Sequence, residues 1–162
     1  MTYLFTYFSL YIIIPMVLEK ADLIGAILAQ VIYIIIILIF VSRLIKKPQL
    51  EYGLGLILAL AVIPLIYLLV TASSLERTPL YSIQIFLMLA FLIIEILLDY
   101  ILIINFREVR WMVISYVVIF FGSTGGMIGV ASHAGRGWTL SSIILFLIMA
   151  SLAFIQRAIT GL

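Results

Sequence analysis

The chain has 162 residues, of which 67% are hydrophobic and only 10% are Asp, Glu, Lys or Arg. A soluble domain is about a quarter charged and about half apolar, so there are too few polar side chains here to cover a water-facing globule. The net charge of +2 gathers into no tail, the chain has no cysteine and its one histidine is His133, which argues against nucleic-acid binding, thiol chemistry and any multi-histidine metal or haem centre.

A membrane-spanning helix takes about 20 apolar residues. Backbone groups in hydrocarbon must bond internally, so long aliphatic runs without strand alternation predict helices and not barrel strands. Six charge-poor runs qualify, at 3–18, 23–41, 53–71, 80–104, 111–131 and 138–155. The expected fold is an all-α integral membrane protein. It is a single domain over 1–162, a compact bundle of six transmembrane helices, or five if the first run lies in the interface. The connections are too short for an extramembrane domain.

The first run is short and carries Pro15 near its end. It lacks the basic region and small-residue cleavage pattern of a signal peptide, which predicts a retained helix. Glu19, Lys20 and Asp22 then read as a solvated loop before the second run. The third run contains Pro64, which predicts a kink. Thr78-Pro79 opens the fourth as an N-cap followed by a first-turn proline.

The fourth run, which ends in FLIIEILLDYILII, holds the two charged residues that fall outside loops and span ends, Glu95 and Asp99. Four apart, they share one helix face, which continues through Met88 and Phe91 to Gln84 and passes close to Tyr81. Asp99 stands about 9 Å from Asn105 and Glu95 about 15 Å, near the bilayer midplane. An acid at a helix centre costs about 2.5–3.5 kcal/mol on the insertion scale and is functional by default. No Lys, Arg or His is expected at that depth in another span, so Glu95 either sits uncharged or opens onto a watery cavity. The plainer alternatives are a glutamic acid that hydrogen-bonds Ser or Thr as packing glue, and an Asp99 that pairs with snorkelling Arg43 or Arg157.

The fifth run leads into FGSTGGMIGVASHAGRGW. Gly122/Gly126 and Gly125/Gly129 form overlapping GxxxG pairs, a pattern for close helix contact. With the hydroxyls of Ser123 and Thr124, the glycine density also suits an unwound helix lining a cavity. Counted from Trp111, Phe120 to Thr124 fall level with Glu95, so this face is expected to meet the acid-bearing face of the fourth run. His133 and Arg136 lie just past it, where they could bind an anionic group or sense pH, or merely touch headgroups. Trp111 and Trp138 each begin a run, where an indole favours the headgroup level.

Arg43, Lys46, Lys47, Arg107, Arg110 and Arg157 fall on one side; Lys20, Arg77 and Arg136 fall on the other. The positive-inside rule then puts both termini in the cytoplasm and the protein in the cell membrane. No inverted repeat of three helices is found. Three function classes remain, in this order. The first is a small transporter or channel for a small solute or ion, with Glu95 as protonatable or ion-binding group, supported by Asp99, Gln84, Ser123 and Thr124. The second is a non-catalytic subunit or assembly protein of a larger membrane complex or homodimer. The third is a lipid or isoprenoid enzyme, with Glu95 and Asp99 as an acid–base pair lacking a nucleophile or metal partner. No cofactor or metal is implied, and the partner expected in every case is the lipid bilayer. A cysteine introduced at Lys47 is expected to react with an impermeant reagent only after the membrane is permeabilised; labelling from outside intact cells would reverse the assigned orientation.

Overall fold

The structure, a computed structural model, describes residues 2–98 and 109–160, with side chains described for 19–98 and 109–159. Six helices follow one another: α1 Thr2–Leu44, α2 Pro48–Ala59, α3 Val62–Ser74, α4 Pro79–Ile96, α5 Arg110–Ser132 and α6 Arg136–Thr160. The described residues contain no strand. Five stretches are long and apolar enough to cross a membrane: Glu19–Leu44, Pro48–Ser74, Pro79–Ile96, Arg110–Ser132 and Arg136–Ile159.

The expected turn between the first two runs is absent, because α1 runs unbroken for 43 residues, about 65 Å. Glu19, Lys20 and Ala21 are good helix formers, and neither proline nor glycine lies between Pro15 and Gly25. The charges there mark polarity, and polarity alone does not turn a helix. Residues 3–18 therefore continue the axis of 23–41 instead of folding back beside it.

The third expected run lies inside Pro48–Ser74, which is broken as Pro64 predicts. Proline lacks the N–H that would bond the carbonyl four residues back and its ring clashes with that carbonyl, here Leu60. The helix gives way at Leu60–Ala61, where Leu60 and Ala61 donate to Ile57 and Leu58 in the tighter three-residue pattern, at 3.2 and 3.0 Å. Helices α1 and α3 end alike. Lys46 and Glu76 take left-handed backbone conformations, with φ of 55° and 49°. The next amides, Lys47 and Arg77, reach back to the carbonyls of Ser42 and Ala72 at 3.0 and 3.1 Å. This is the Schellman closure, made without glycine, and Pro48 and Pro79 then start the following helices. Thr78 holds the N-cap position as expected, although its hydroxyl makes no capping bond. After Ile96 the helix widens into a π turn at Leu97–Leu98. Asp99 and the rest of the expected fourth run lie outside the described residues.

Helix α1 packs against α2, α3, α5 and α6; α5 also packs against α4 and α6, and α3 against α4. Ala26, Ala29, Ile32 and Tyr33 of α1 are fully buried, whereas Ile27, Val31, Ile34 and Leu38, at helical spacing, form an exposed aliphatic stripe. Gly25 lets α1 approach α5 so closely that a Cβ there would stand 2.9 Å from Val130 Cγ1. Polar groups cross the same contacts. Gln30 Nε2 donates to Ser142 Oγ at 2.7 Å, Ser141 Oγ at 2.9 Å and the Trp138 carbonyl at 3.3 Å on α6. The buried Tyr33 hydroxyl donates to the Thr124 carbonyl of α5 at 2.6 Å.

Helix α5 is continuous through all its glycines, which corrects the unwound alternative. Its glycine face meets α4 over half its length. The Cβ and Cα of Gln84 lie 3.4 and 3.5 Å from where a Gly126 Cβ would stand, and a Cβ on Gly129 would collide with the Gln84 amide. Around Gly122 and Gly125 nothing lies within 4 Å of that position. Gly126→Leu should therefore cost about 1–3 kcal/mol by overpacking, whereas Gly122→Leu and Gly125→Leu should be near neutral in thermal melting. Equal losses at Gly125 and Gly126 would place the α4–α5 crossing elsewhere.

Candidate functional site

Glu95 lies in the last turn of α4, half-buried, and accepts a short hydrogen bond at Oε2 from the Tyr116 hydroxyl of α5. The antiparallel contact of α4 and α5 sets this pairing, since Gln84 meets Gly126 and Gly129 while Phe91 meets Phe120 and Tyr116, with ring centroids 5.4 and 5.8 Å apart. Tyr116 stands about 9 Å along α5 from Arg110, and Glu95 about 24 Å along α4 from Pro79. Glu95 thus sits toward the Arg43 end of the bundle, nearer that end than the midplane position expected from counting.

The expectation that no cation reaches Glu95 is also corrected. Arg43, in the last turn of α1, donates through Nε to Glu51 Oε1 of α2 at 2.6 Å. Its guanidinium lies 5.9 Å from the Phe40 ring centroid, and Glu95 and Tyr116 act on it electrostatically together with Glu51. The end of a span places Arg43 above Glu95 in a linear count, but a long flexible stem carries the charge back along the helix. Below the polar groups lies an aromatic floor: Phe40 meets Phe120 edge-on at 6.0 Å, and Tyr116 stacks on Phe120 at 6.5 Å.

The other predicted residues scatter. Ser123 and Thr124 are fully buried, and both hydroxyls turn onto the Phe120 carbonyl of their own helix, at 2.9 and 2.6 Å. This backbone satisfaction is common for hydroxyls inside helices and aims neither group at Glu95. Gln84 is about 16 Å from Glu95 along α4, at the α5 glycines. His133 joins a cluster at the opposite end. Its Nδ1 lies 3.3 Å from Arg77 Nη1, its ring stands edge-on to buried Tyr81 at 5.2 Å, and Arg77 also bonds Asp22 of α1. The Arg77 guanidinium lies 5.3 Å from the Tyr81 ring centroid. Arg136 is exposed at the start of α6. Sequence reasoning missed Tyr116 as the partner of the acid, and Arg43 with Glu51 and Asp22 with Arg77 as pairs. The available signal was the antiparallel register, which brings the first turns of α5 level with the last turn of α4.

The Glu95 end brings together, among the described residues, carboxylates of Glu95 and Glu51, the Tyr116 phenol and the Arg43 guanidinium from four helices. Among the described residues, no group of three His, Cys, Asp or Glu side chains could hold a metal ion. No family model, no curated protein and no solved structure matches this chain. At the far end, a guanidinium can only donate, so His133 Nδ1 must be the acceptor. Nitrogen-15 spectra of this single histidine should show the proton on Nε2; a dominant Nδ1–H form at neutral pH would dissolve the Arg77 contact.

Proposed function

We propose that this chain is an integral membrane protein of the cell membrane that moves a small solute or ion, with Glu95 as the group that takes it up. The observation that carries the reading is the Glu95–Tyr116 hydrogen bond set within electrostatic reach of the Arg43–Glu51 pair. A carboxyl group in a membrane span is expensive, and here it lies beside groups that can stabilise both its charged and its neutral form. Phe40, Phe91 and Phe120 close the site on its inner side. Access then comes from the Arg43 end, and the aromatic rings form the barrier that a transported species passes. The Lys and Arg distribution supports a cytoplasmic Arg43–Glu51 connection and C-terminal end. With five spans in place of six, the Glu19 end of α1 falls on the opposite face, so a cytoplasmic N-terminus drops out of this reading.

A second reading, a non-catalytic subunit of a larger membrane complex or a homodimer, is favoured by a separate observation. Gln30, Tyr33, Ser123 and Thr124 are all satisfied inside the bundle, and the Glu95–Tyr116 bond would then be one more static tie between helices. Proteoliposomes loaded with a pH-sensitive dye separate the two under an imposed potassium diffusion potential. The wild-type chain should carry flux above protein-free vesicles, and Glu95→Gln should fall to the protein-free level with its melting temperature unchanged. Wild-type flux in both Glu95→Gln and Glu95→Leu, or no flux of protons or alkali cations in the wild type, overturns the transport reading.

A further inference from the structure

The end of the molecule opposite Glu95 carries a tie that depends on an uncharged imidazole. His133 holds the C-cap position of α5, and its Nδ1 lies 3.3 Å from Nη1 of Arg77 in the α3–α4 turn. Arg77 also bonds Asp22 of α1, and Tyr81 of α4 stands edge-on to the imidazole at 5.2 Å. The contact therefore joins the α5–α6 connection to the α3–α4 turn and, through Arg77, to α1. Two anchors bracket that connection. On the α5 side Val130 is fully buried against Gly25, and on the α6 side Ser141 and Ser142 hold Gln30. Between them Ser132, His133, Gly135, Arg136 and Gly137 are exposed, and Gly135 takes a φ of 115°, which L side chains rarely adopt.

A guanidinium can only donate, and an imidazole nitrogen accepts only through a free lone pair. Protonation of Nδ1 removes that lone pair and sets two cations side by side. Histidine is the side chain whose charge ordinarily changes between pH 5 and 8. The other charged or titratable groups on the elements around it are Asp22, Arg77 and Tyr81, in the contacts above, and the exposed Glu19, Lys20, Glu76 and Arg136. Residues 1–18 contain no Asp, Glu, Lys, Arg or His.

We propose that the α5–α6 connection is an acid-released latch, closed while neutral His133 accepts from Arg77 and open once His133 is protonated. In the opening step a hydronium gives its proton to the Nδ1 lone pair, forming one N–H bond and leaving water. The positive charge stays on the ring, which turns away from the guanidinium. Arg77 keeps its bond to Asp22, while Val130 and Gln30 keep α5 and α6 seated, so the movement is confined to the connection. Closing breaks the same N–H bond to water. The tie is thus present above the titration of the imidazole and lost as the pH falls through it. Glu95 lies about 21 Å along α4 from Tyr81, and the latch does not depend on the transport reading.

The chain has no cysteine, so a single pair can be introduced and spin-labelled. Ser74→Cys in the last turn of α3 and Ser132→Cys at the end of α5 are exposed, uncharged positions close to the two partners. In the full chain in lipid nanodiscs the labels should broaden each other's spectra at about pH 8, and the broadening should be lost at about pH 5. The loss should track protonation of His133, read from the nitrogen-15 shifts of this single histidine. His133→Gln keeps an acceptor that does not titrate, so its labels should stay broadened at both pH values. His133→Lys carries a cation at both and should stay narrow. Because His133 is exposed, neither variant disturbs the packed interior. Broadening that persists while His133 is protonated overturns the latch. So does an equal loss in His133→Gln, or a broadened spectrum in His133→Lys.

Discussion

Four polar side chains of α1 tie it to the rest of the bundle, and the architecture hangs on those ties. Asp22 holds Arg77 in the turn after α3, Gln30 holds the serines of α6, Tyr33 holds the α5 backbone, and Arg43 holds Glu51 of α2. In hydrocarbon, apolar burial does not favour one helix contact over another, because lipid tails are as apolar as leucine. Packing and internal hydrogen bonds then select the arrangement. In α1 the small residues Gly25, Ala26 and Ala29 allow the close approach, and the polar residues along the same helix fix which neighbour is approached.

The site inherits its asymmetry from this arrangement. Its guanidinium comes from the end of α1, its second carboxylate from the start of α2, and its acid and phenol from the facing turns of α4 and α5. Arg43 and Glu51 face each other across one turn, eight positions apart, but neither is near Glu95 or Tyr116 in sequence. They meet because antiparallel helices return to the same level, and the bulky rings one turn inward keep that level distinct from the Tyr33–Thr124 contact. The opposite end repeats the chemistry with different members, since Asp22, Arg77, Tyr81 and His133 combine a carboxylate, a guanidinium, a phenol and an imidazole.

Much of this was legible in the residues. The second to sixth apolar runs located the five long apolar helices, Pro64 located the break, and the four-residue spacing placed Glu95 on an inward stripe with Met88 and Phe91. The failures have physical causes. Glu19, Lys20 and Asp22 looked like a loop because charge usually marks the exit from a membrane, yet Glu, Lys and Ala propagate a helix readily. Arg43 was expected to snorkel toward Asp99, but its long stem was not expected to bring the charge near Glu95. Ser123 and Thr124 looked available because hydroxyls beside glycines suggest an open backbone, but in a continuous helix they bond their own carbonyls. Gln30 drew no attention as one amide in an aliphatic run. The pair Ser141–Ser142, its partner, lay more than a hundred positions away in sequence.

The break at Leu60–Ala61 has a mechanical meaning that its local cause does not reveal. Two ion pairs tie α1 to the Pro48–Ser74 stretch, Arg43 to Glu51 near its start and Asp22 to Arg77 just past its end. One member of this assembly is an unbroken rod, and the other is broken between the two pairs. If both were rigid, loosening one pair would lever against the other. With the break, the segment bearing Glu51 and the segment leading to Arg77 are separate helices, so each ion pair ties α1 to a helical segment of its own.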